Sequence, residues 1–305
     1  MKVHLRAPYG EEWQLCRMLL PETFADAASR EYLLCLRDEE AGAGFSVVGS
    51  RLSDQNAKAP TTNNQEPTTR LVAAVSFRRV GHEAKKLRIH VVPGFRRRGV
   101  GSYVLASLLG SGLRALDGTV DSLKEPAAAS FCERNGFQRV EELFTVEADL
   151  AAMREYLGRL RARIGRPAGA RVVRLPDAPF EAVARLHAAE VAHSELNPWR
   201  ALLGQTQGLA LSPVVMVDDE VVGFMLAEIQ STTAVVHSRV SAPAYRRGWV
   251  MIVLLSEGLD TAWNEGCRTA RFSYLDSNRD TEKLAQRFHA RTVSVVTHFR
   301  REATA

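Results

Sequence analysis

Short apolar runs bounded by turn residues recur through the first half of this chain. "FSVVGSRL" (45–52), "LVAAVSFRRV" (71–80) and "KLRIHVV" (86–92) are rich in valine and phenylalanine and read as strands, the last closed by Pro93. Residues 99–115 are mostly apolar and read as a helix. A short strand near "GTVDSL" follows, then a helix begun by "EPAAAS", with Pro126 at its first position and Asn135-Gly136 as its left-handed cap. "FQRVEELFTVEADL" supplies the last strand pair. From 149 to 164, Leu150, Met153, Leu157, Leu160 and Ile164 recur at helical steps, which predicts an amphipathic helix. The alternation predicts a layered α/β fold with a mixed sheet.

The pattern then repeats. "VVPGFRRRGVGSYVLASLLG" (91–110) has a counterpart in "VSAPAYRRGWVMIVLLSEGL" (240–259), and "KVHLRAP" near the start has one in "RVVRLPD". Pro8 matches Pro176 and Gly99 matches Gly248. The first copy is longer between these points, and the polar stretch "SDQNAKAPTTNNQEPTT" (53–69) supplies the excess as an inserted loop. The expected organisation is a first domain at 1–148, a helix and linker at 149–170, and a second domain at 171–305.

Composition narrows the class. Hydrophobic residues make up 46% of the 305 and charged residues 25%, the balance of a globular protein. Cys16, Cys35, Cys132 and Cys267 are scattered, with no C-x-x-C pair or His cluster, so neither a metal site nor a disulfide framework is expected. No leader and no apolar stretch of membrane-spanning length is visible, which predicts a soluble cytoplasmic protein without a membrane partner. The net charge is +5, but the arginines are spread along the chain, so no specific nucleic-acid partner is expected. Local charge says more. Residues 1–40 hold eight acidic residues against five Lys and Arg, while 70–100 hold nine basic residues against Glu83 alone.

Residues 91–102 set a basic, glycine-containing turn between a strand and a helix. Unpaired N–H groups and a partial positive charge at a helix start bind anions, and glycine permits close backbone approach. The turn lacks the G-K-[ST] of a phosphate-binding P-loop, and Val104 stands where a dinucleotide fingerprint needs a third glycine. What remains is [Q/R]-x-x-G-x-[G/A] after a proline-closed strand, with "FCERNGF" (131–137) downstream.

With these features the sequence resembles the GNAT superfamily of acyl-CoA-dependent N-acyltransferases, in both copies. The resemblance implies two tandem GNAT domains and acetyl-CoA or another short acyl-CoA as co-substrate. It implies that Arg96, Arg97, Arg98, Gly99, Val100, Gly101 and Ser102 wrap the pyrophosphate of coenzyme A. The strand before them would splay from its neighbour, so that Val91 and Val92 meet the pantetheine arm and polarise the thioester carbonyl. Glu125 occupies the position of the family's Asn, and Cys132 that of the Tyr that protonates the departing thiolate. Three roles stand open for Cys132: general acid, acyl-carrying nucleophile, or small buried hydrophobe with water as the acid. No base is evident among Lys85, Leu87 and Ile89 on the substrate face. His90 reads as packed in the core, and His82 and Glu83 as solvated.

The second copy departs further. With Gly248 set on Gly99, Tyr245 falls at Arg96 and Val250 at Gly101, so that the Val250 β-carbon would obstruct a phosphate. Asn278 matches the family Asn, but Ala285 replaces the Tyr. The expected function is transfer of an acyl group from acyl-CoA to an amine by the first domain, the second serving as a cleft wall or a homodimer contact. The acceptor would be a small amine or a basic peptide, met by two acidic helices within residues 1–40. A non-catalytic acyl-CoA-binding or sensing protein is the alternative.

Overall fold

A computed structural model describes residues 3–8, 20, 31–37, 70–165, 167–190, 211–246 and 248–303. The strand expected at 45–52 and the inserted loop at 53–69 lie outside the described residues. So does most of the acidic N-terminal stretch expected to be helical. Within that stretch Glu31–Arg37 is a strand, and its central "YLLC" is an unbroken apolar run suited to a sheet interior.

Two compact units are present. The first comprises Met1–Val120, Ala127–Val140 and His298–Ala305, the second Asp121–Pro126 and Glu141–Thr297. In the first, β1 (Val3–Arg6), β2 (Glu31–Arg37), β3 (Arg70–Val80) and β4 (Glu83–Val91) form an antiparallel meander, and β5 (Ala115–Asp121) pairs parallel to β4. Helix α1 (Val100–Gly110) is the crossover between β4 and β5, and α2 (Pro126–Arg134) follows. Val72 to Phe77 are all buried, as expected of a strand covered on both faces. Val72, Ala73, Val75 and Phe77 join Leu105, Leu108 and Leu116 in one core.

The predicted last strand pair is a single strand, β6 (Gln138–Asp149). Only its first three residues belong to the first unit; from Glu141 it belongs to the second, where Leu143–Asp149 pair antiparallel with β11 (Thr269–Leu275). The last strand of the chain, β12 (Arg291–Glu302), crosses the other way, with His298 onward counted in the first unit. Equivalent hydrogen bonds mark the exchange. Leu150 donates to the Arg268 carbonyl in the second unit at 3.0 Å, and Ala303 to the Arg114 carbonyl in the first at 2.7 Å. The sequence boundary at 148 therefore differs from the boundary by contacts, because each copy's last strand completes the other copy's sheet.

The second unit repeats the plan with β7 (Ala170–Arg174), α4 (Phe180–Glu190), β8 (Pro213–Val217), β9 (Glu220–Gln230), β10 (Thr233–Ser241), α5 (Trp249–Asn264), β11 and α6 (Arg279–Arg287). The predicted amphipathic helix is α3 (Leu150–Arg161). Asp149 caps it by accepting from Ala151 and Ala152, and Leu150, Met153 and Leu157 are buried. Arg154 and Arg161 tie α3 to Asp260 and Glu257 of α5, each at 2.7 Å.

In the first unit a charged cluster sits where β4 and β5 part. Lys85 Nζ lies 3.0 Å from Asp117 Oδ2 and 3.3 Å from Glu83. His298 Nε2 lies 2.9 Å from Asp117 Oδ1, and Arg300 binds Glu83 at 2.7 Å. Glu83 is thus paired rather than solvated. Burial alone would raise the Asp117 pKa, but hydrogen bonds from His298 and Lys85 outweigh it and hold it below 3.8. Removing one member of such a buried group leaves uncompensated charge. Asp117→Ala is expected to destabilise the fold by about 3–5 kcal/mol in urea unfolding. Because the folded pKa is depressed, the stabilisation is complete above pH ~4 and disappears as pH falls through the folded value. The gap between wild type and Asp117→Asn should close over the same range.

Candidate functional site

The first copy places its basic turn beside an opening in the sheet. Parallel pairing of β4 with β5 covers only Glu83–Ala115 and Ala84–Leu116. Beyond it the β3–β4 register shifts between Ser76 and Arg78, and Lys86 in β4 takes a left-handed φ of 51°. A bulge of this kind bends and twists its strand, and from there β4 has no paired neighbour in β5. The bulge also breaks the side-chain alternation. Leu87, Ile89 and Val91 pack on the core together, whereas Lys85 is held by Asp117 and Glu83.

The alternation of amides fixes what the open edge presents. Val92 donates its N–H to the Val72 carbonyl at 2.9 Å, and His90 stands opposite Ala74. Residues of that parity direct their amides to the partner strand, and the residue between them directs its own away. Val91 is that residue, so its N–H faces the β5 side, where no strand receives it. Its carbonyl accepts from Arg96 Nε at 3.0 Å. Of the two amides expected to meet a thioester, that of Val91 faces away from β3, whereas that of Val92 is engaged by the Val72 carbonyl.

After β4 the chain makes a single 3-10 turn at Pro93–Phe95, passes Arg96 and Arg97, and enters α1 through Gly99. Arg97 and Gly99 have φ of 60° and 79°. A β-carbon on Gly99 would meet nothing within 4 Å, so glycine is required there by conformation and not by crowding. The first turn of α1 has no side-chain cap and no acidic residue. The amides of Val100, Gly101 and Ser102, which a helix leaves without internal partners, thus begin a site suited to an anion. Arg96, Arg97 and Arg98 are exposed around it, Arg98 lying 5.9 Å from the Phe95 ring centre. Val100 is buried, so only its backbone serves the turn.

Gly101 has a different reason for lacking a side chain. A β-carbon there would lie 2.8 Å from the ring of Phe131 on α2. The next residue, Cys132, packs partly buried on the same core. Burial first, and the nearby Glu133 second, push its thiol up to about 11. At pH 7 roughly one part in ten thousand would be thiolate. Proton donation to a thiolate of ordinary acidity, near 8.5, would run uphill by about 3 kcal/mol. Of the three roles open to Cys132, this environment suits the small hydrophobe. Glu125 is exposed and lies in the segment Asp121–Pro126 counted with the second unit. His90 is half-buried rather than enclosed; burial, then Arg96, lowers its pKa and favours the neutral ring.

The second copy keeps the frame and loses the cradle. Ala242 donates to Val222 at 2.9 Å as Val92 does to Val72, and Pro243–Tyr245 repeats the 3-10 turn. By backbone, Tyr245 therefore matches Phe95 and Arg246 matches Arg96; the second turn is one residue shorter before its glycine. Gly248 is extended, with φ of −106°. Val250 does not face a phosphate site. It is fully buried, against the space left by Gly223 on β9, where a β-carbon would lie 2.5 Å from it. Asn278 caps α6 by accepting from the Thr281 N–H at 3.1 Å.

Sequence reasoning missed Asp117, His298, Arg300 and Phe131. An aspartate inside the apolar start of β5 was the available signal for the first three. No family model and no curated protein matches the chain. Among solved structures, a tandem GNAT protein from the clavulanic acid biosynthesis pathway, without AcCoA, aligns over 100% of this chain and 99% of its own, with a TM-score of 0.55 and 16% identity. A GCN5-related N-acetyltransferase from Sphaerobacter thermophilus covers 98% of this chain and 95% of its own, at 0.54 and 14%. One from Kribbella flavida covers 99% and 72%, at 0.51 and 14%. These likenesses establish the tandem GNAT fold.

Overpacking at the α1–α2 contact should be measurable. Gly101→Ala is expected to lower stability by about 1–3 kcal/mol in thermal or urea unfolding. Adding Phe131→Leu should recover part of that loss, because the double variant removes the ring that the new methyl meets.

Proposed function

We propose that this chain, on its tandem GNAT fold, transfers a short acyl group from acyl-CoA to an amine, with the first copy binding the co-substrate. The observation that carries the reading is the Val91 amide, directed into the unpaired gap between β4 and β5 and followed within a few residues by the left-handed Gly99 turn and the uncapped start of α1. Pyrophosphate would rest on the amides of Val100 to Ser102, with Arg97 and Arg98 neutralising its charge. Its pantetheine arm would take the place of a strand against the open edge of β4. The Val91 N–H then supports the negative charge that develops on the thioester oxygen.

The acceptor amine, arriving neutral, attacks the carbonyl carbon, and the carbon–sulfur bond breaks as the tetrahedral species collapses. Water takes the proton from the new ammonium and gives one to the departing thiolate, since Cys132 is too weak an acid for that step. The acidic composition of residues 1–40 favours a cationic acceptor, a small amine or basic peptide.

Calorimetric titration with acetyl-CoA tests the binding step. About one equivalent is expected to bind to the wild type, and Gly99→Glu should weaken it at least about a hundredfold, since it places a carboxylate and a strained φ in an anion site. No binding to ligand-stripped wild type overturns the reading. Cys132→Ala is expected to keep turnover, measured as thiol release with an amine, within about threefold; a loss of about a hundredfold would return the cysteine to the chemistry.

A further inference from the structure

The second unit also has a parted pair of parallel strands, filled with different chemistry. Pairing of β10 with β11 ends at Val236–Phe272. The next residue, His237, forms a bulge against β9, with Val236 opposite Ala227 and Ser238 opposite Leu226. Beyond this point a cavity of about 540 Å³ opens, bounded by β10, β11, α5 and the start of α6, all within the second unit. Cavities of this size hold small organic ligands.

Its walls mix hydrocarbon, from Val240, Leu255, Phe272 and Leu284 among others, with polar side chains in comparable number. Two of the polar groups bear on a ligand. Ser238 Oγ is buried and has no hydrogen-bond partner among the described residues. Arg239 lines the same cavity and makes no hydrogen bond or ion pair among the described residues. Burial lowers its pKa to about 10, partly offset by Asp280, so it remains a cation at neutral pH. Of the other charges of the lining, Glu190 binds Arg246, Arg279 binds Glu282 at 2.7 Å, His237 lies 3.1 Å from Glu228, and Asp280 acts on Arg239 itself. A buried hydroxyl without a partner is costly unless a ligand completes it, and the half-buried Arg239 guanidinium beside it offers an anion a charged donor.

We propose that this cavity binds a monocarboxylate with an apolar body, its carboxylate on Arg239 and Ser238 and its hydrocarbon part against Leu255 and Phe272. A planar carboxylate matches the donor fork of one guanidinium. Asp280, exposed on the lining, opposes a second negative charge. A pyrophosphate finds no cradle here, because the turn before α5 is one residue short and Gly248 is extended. The proposal is independent of acyl-CoA binding by the first copy. It gives the second copy a ligand of its own.

Calorimetric titration of the full chain with sodium octanoate, and with octanamide as the neutral analogue of the same length, tests it. Octanoate is expected to bind at least about tenfold more tightly than octanamide. Arg239→Met should remove most of that preference, Ser238→Ala should weaken octanoate severalfold, and Leu255→Trp should block both by filling the cavity. Gly99→Glu should leave octanoate binding unchanged. Absence of octanoate binding, equal binding of octanamide, or displacement of octanoate by coenzyme A in the Gly99→Glu protein would each overturn the proposal. Melting curves monitor folding of each variant, and should Arg239→Met not fold, the acid–amide comparison on the wild type decides.

Discussion

Two parallel strands that pair and then part are the constraint on which the rest of this chain depends. A sheet interior normally satisfies its own amides, so an interior gap must be held open against the tendency to close. In the first unit the means are visible at the fork. Pairing ends at Ala84–Leu116, the next residue on each strand is Lys85 or Asp117, and their ion pair anchors the last point of contact. Immediately beyond, the left-handed Lys86 bends β4. His298 and Arg300, from the far end of the chain, complete the charges of Asp117 and Glu83. A buried group of this kind contributes little net stability compared with an apolar replacement, but it is exacting about geometry. That suits a place where β4 must leave β5 at one residue and no other.

Duplication kept this plan while exchanging the volumes that sustain it. In the first copy the start of α1 is thin at Gly101 and a phenylalanine from α2 fills the space. In the second, α5 carries Val250 and the strand beneath it is thin at Gly223. Each pairing fills its core, so neither glycine alone reveals a ligand. The two turns differ in backbone conformation: Gly99 is left-handed and Gly248 extended, and the turn before Gly248 is one residue shorter. The unpaired edge and an uncapped helix start survive in both copies, yet only the first has a left-handed glycine at that start.

Much of this was legible in the sequence because it is local. The strand closed by Pro93, the glycine turn, Pro126 at the start of α2, Gly136 at its end and the apolar stripe of α3 all follow from residues near one another. The duplication was legible because both copies repeat those local signals. What escaped depends on partners far apart. The strand at Glu31–Arg37 was hidden in an acidic neighbourhood that suggested helix, and β6 read as two strands because its polar middle, Glu141-Glu142, resembles a turn. The exchange of last strands was invisible for the same reason, since β6 and β12 each satisfy a sheet edge that periodicity cannot name. Alignment on the glycine alone misplaced Tyr245; the repeated hydrogen bonds from Ala242 and Val92 corrected it.

The same distinction governs the two proposed ligand sites. A site made of backbone, as around Gly99, is announced by glycine, proline and spacing, because few sequences tolerate its dihedrals. A site made of side chains on parted strands is not, since nothing in the residues around Ser238 and Arg239 reveals that β11 stops pairing at Phe272. In both copies the parting strands leave a cleft, beside β4 in the first and β10 in the second. The first copy borders it with amides and exposed arginines, the second with one guanidinium, a buried hydroxyl and a wall of mixed polar and hydrocarbon side chains. An extended Gly248 in place of the left-handed Gly99 did not close the second cleft, which remains a chamber of about 540 Å³ with the Ser238 hydroxyl unpartnered among the described residues.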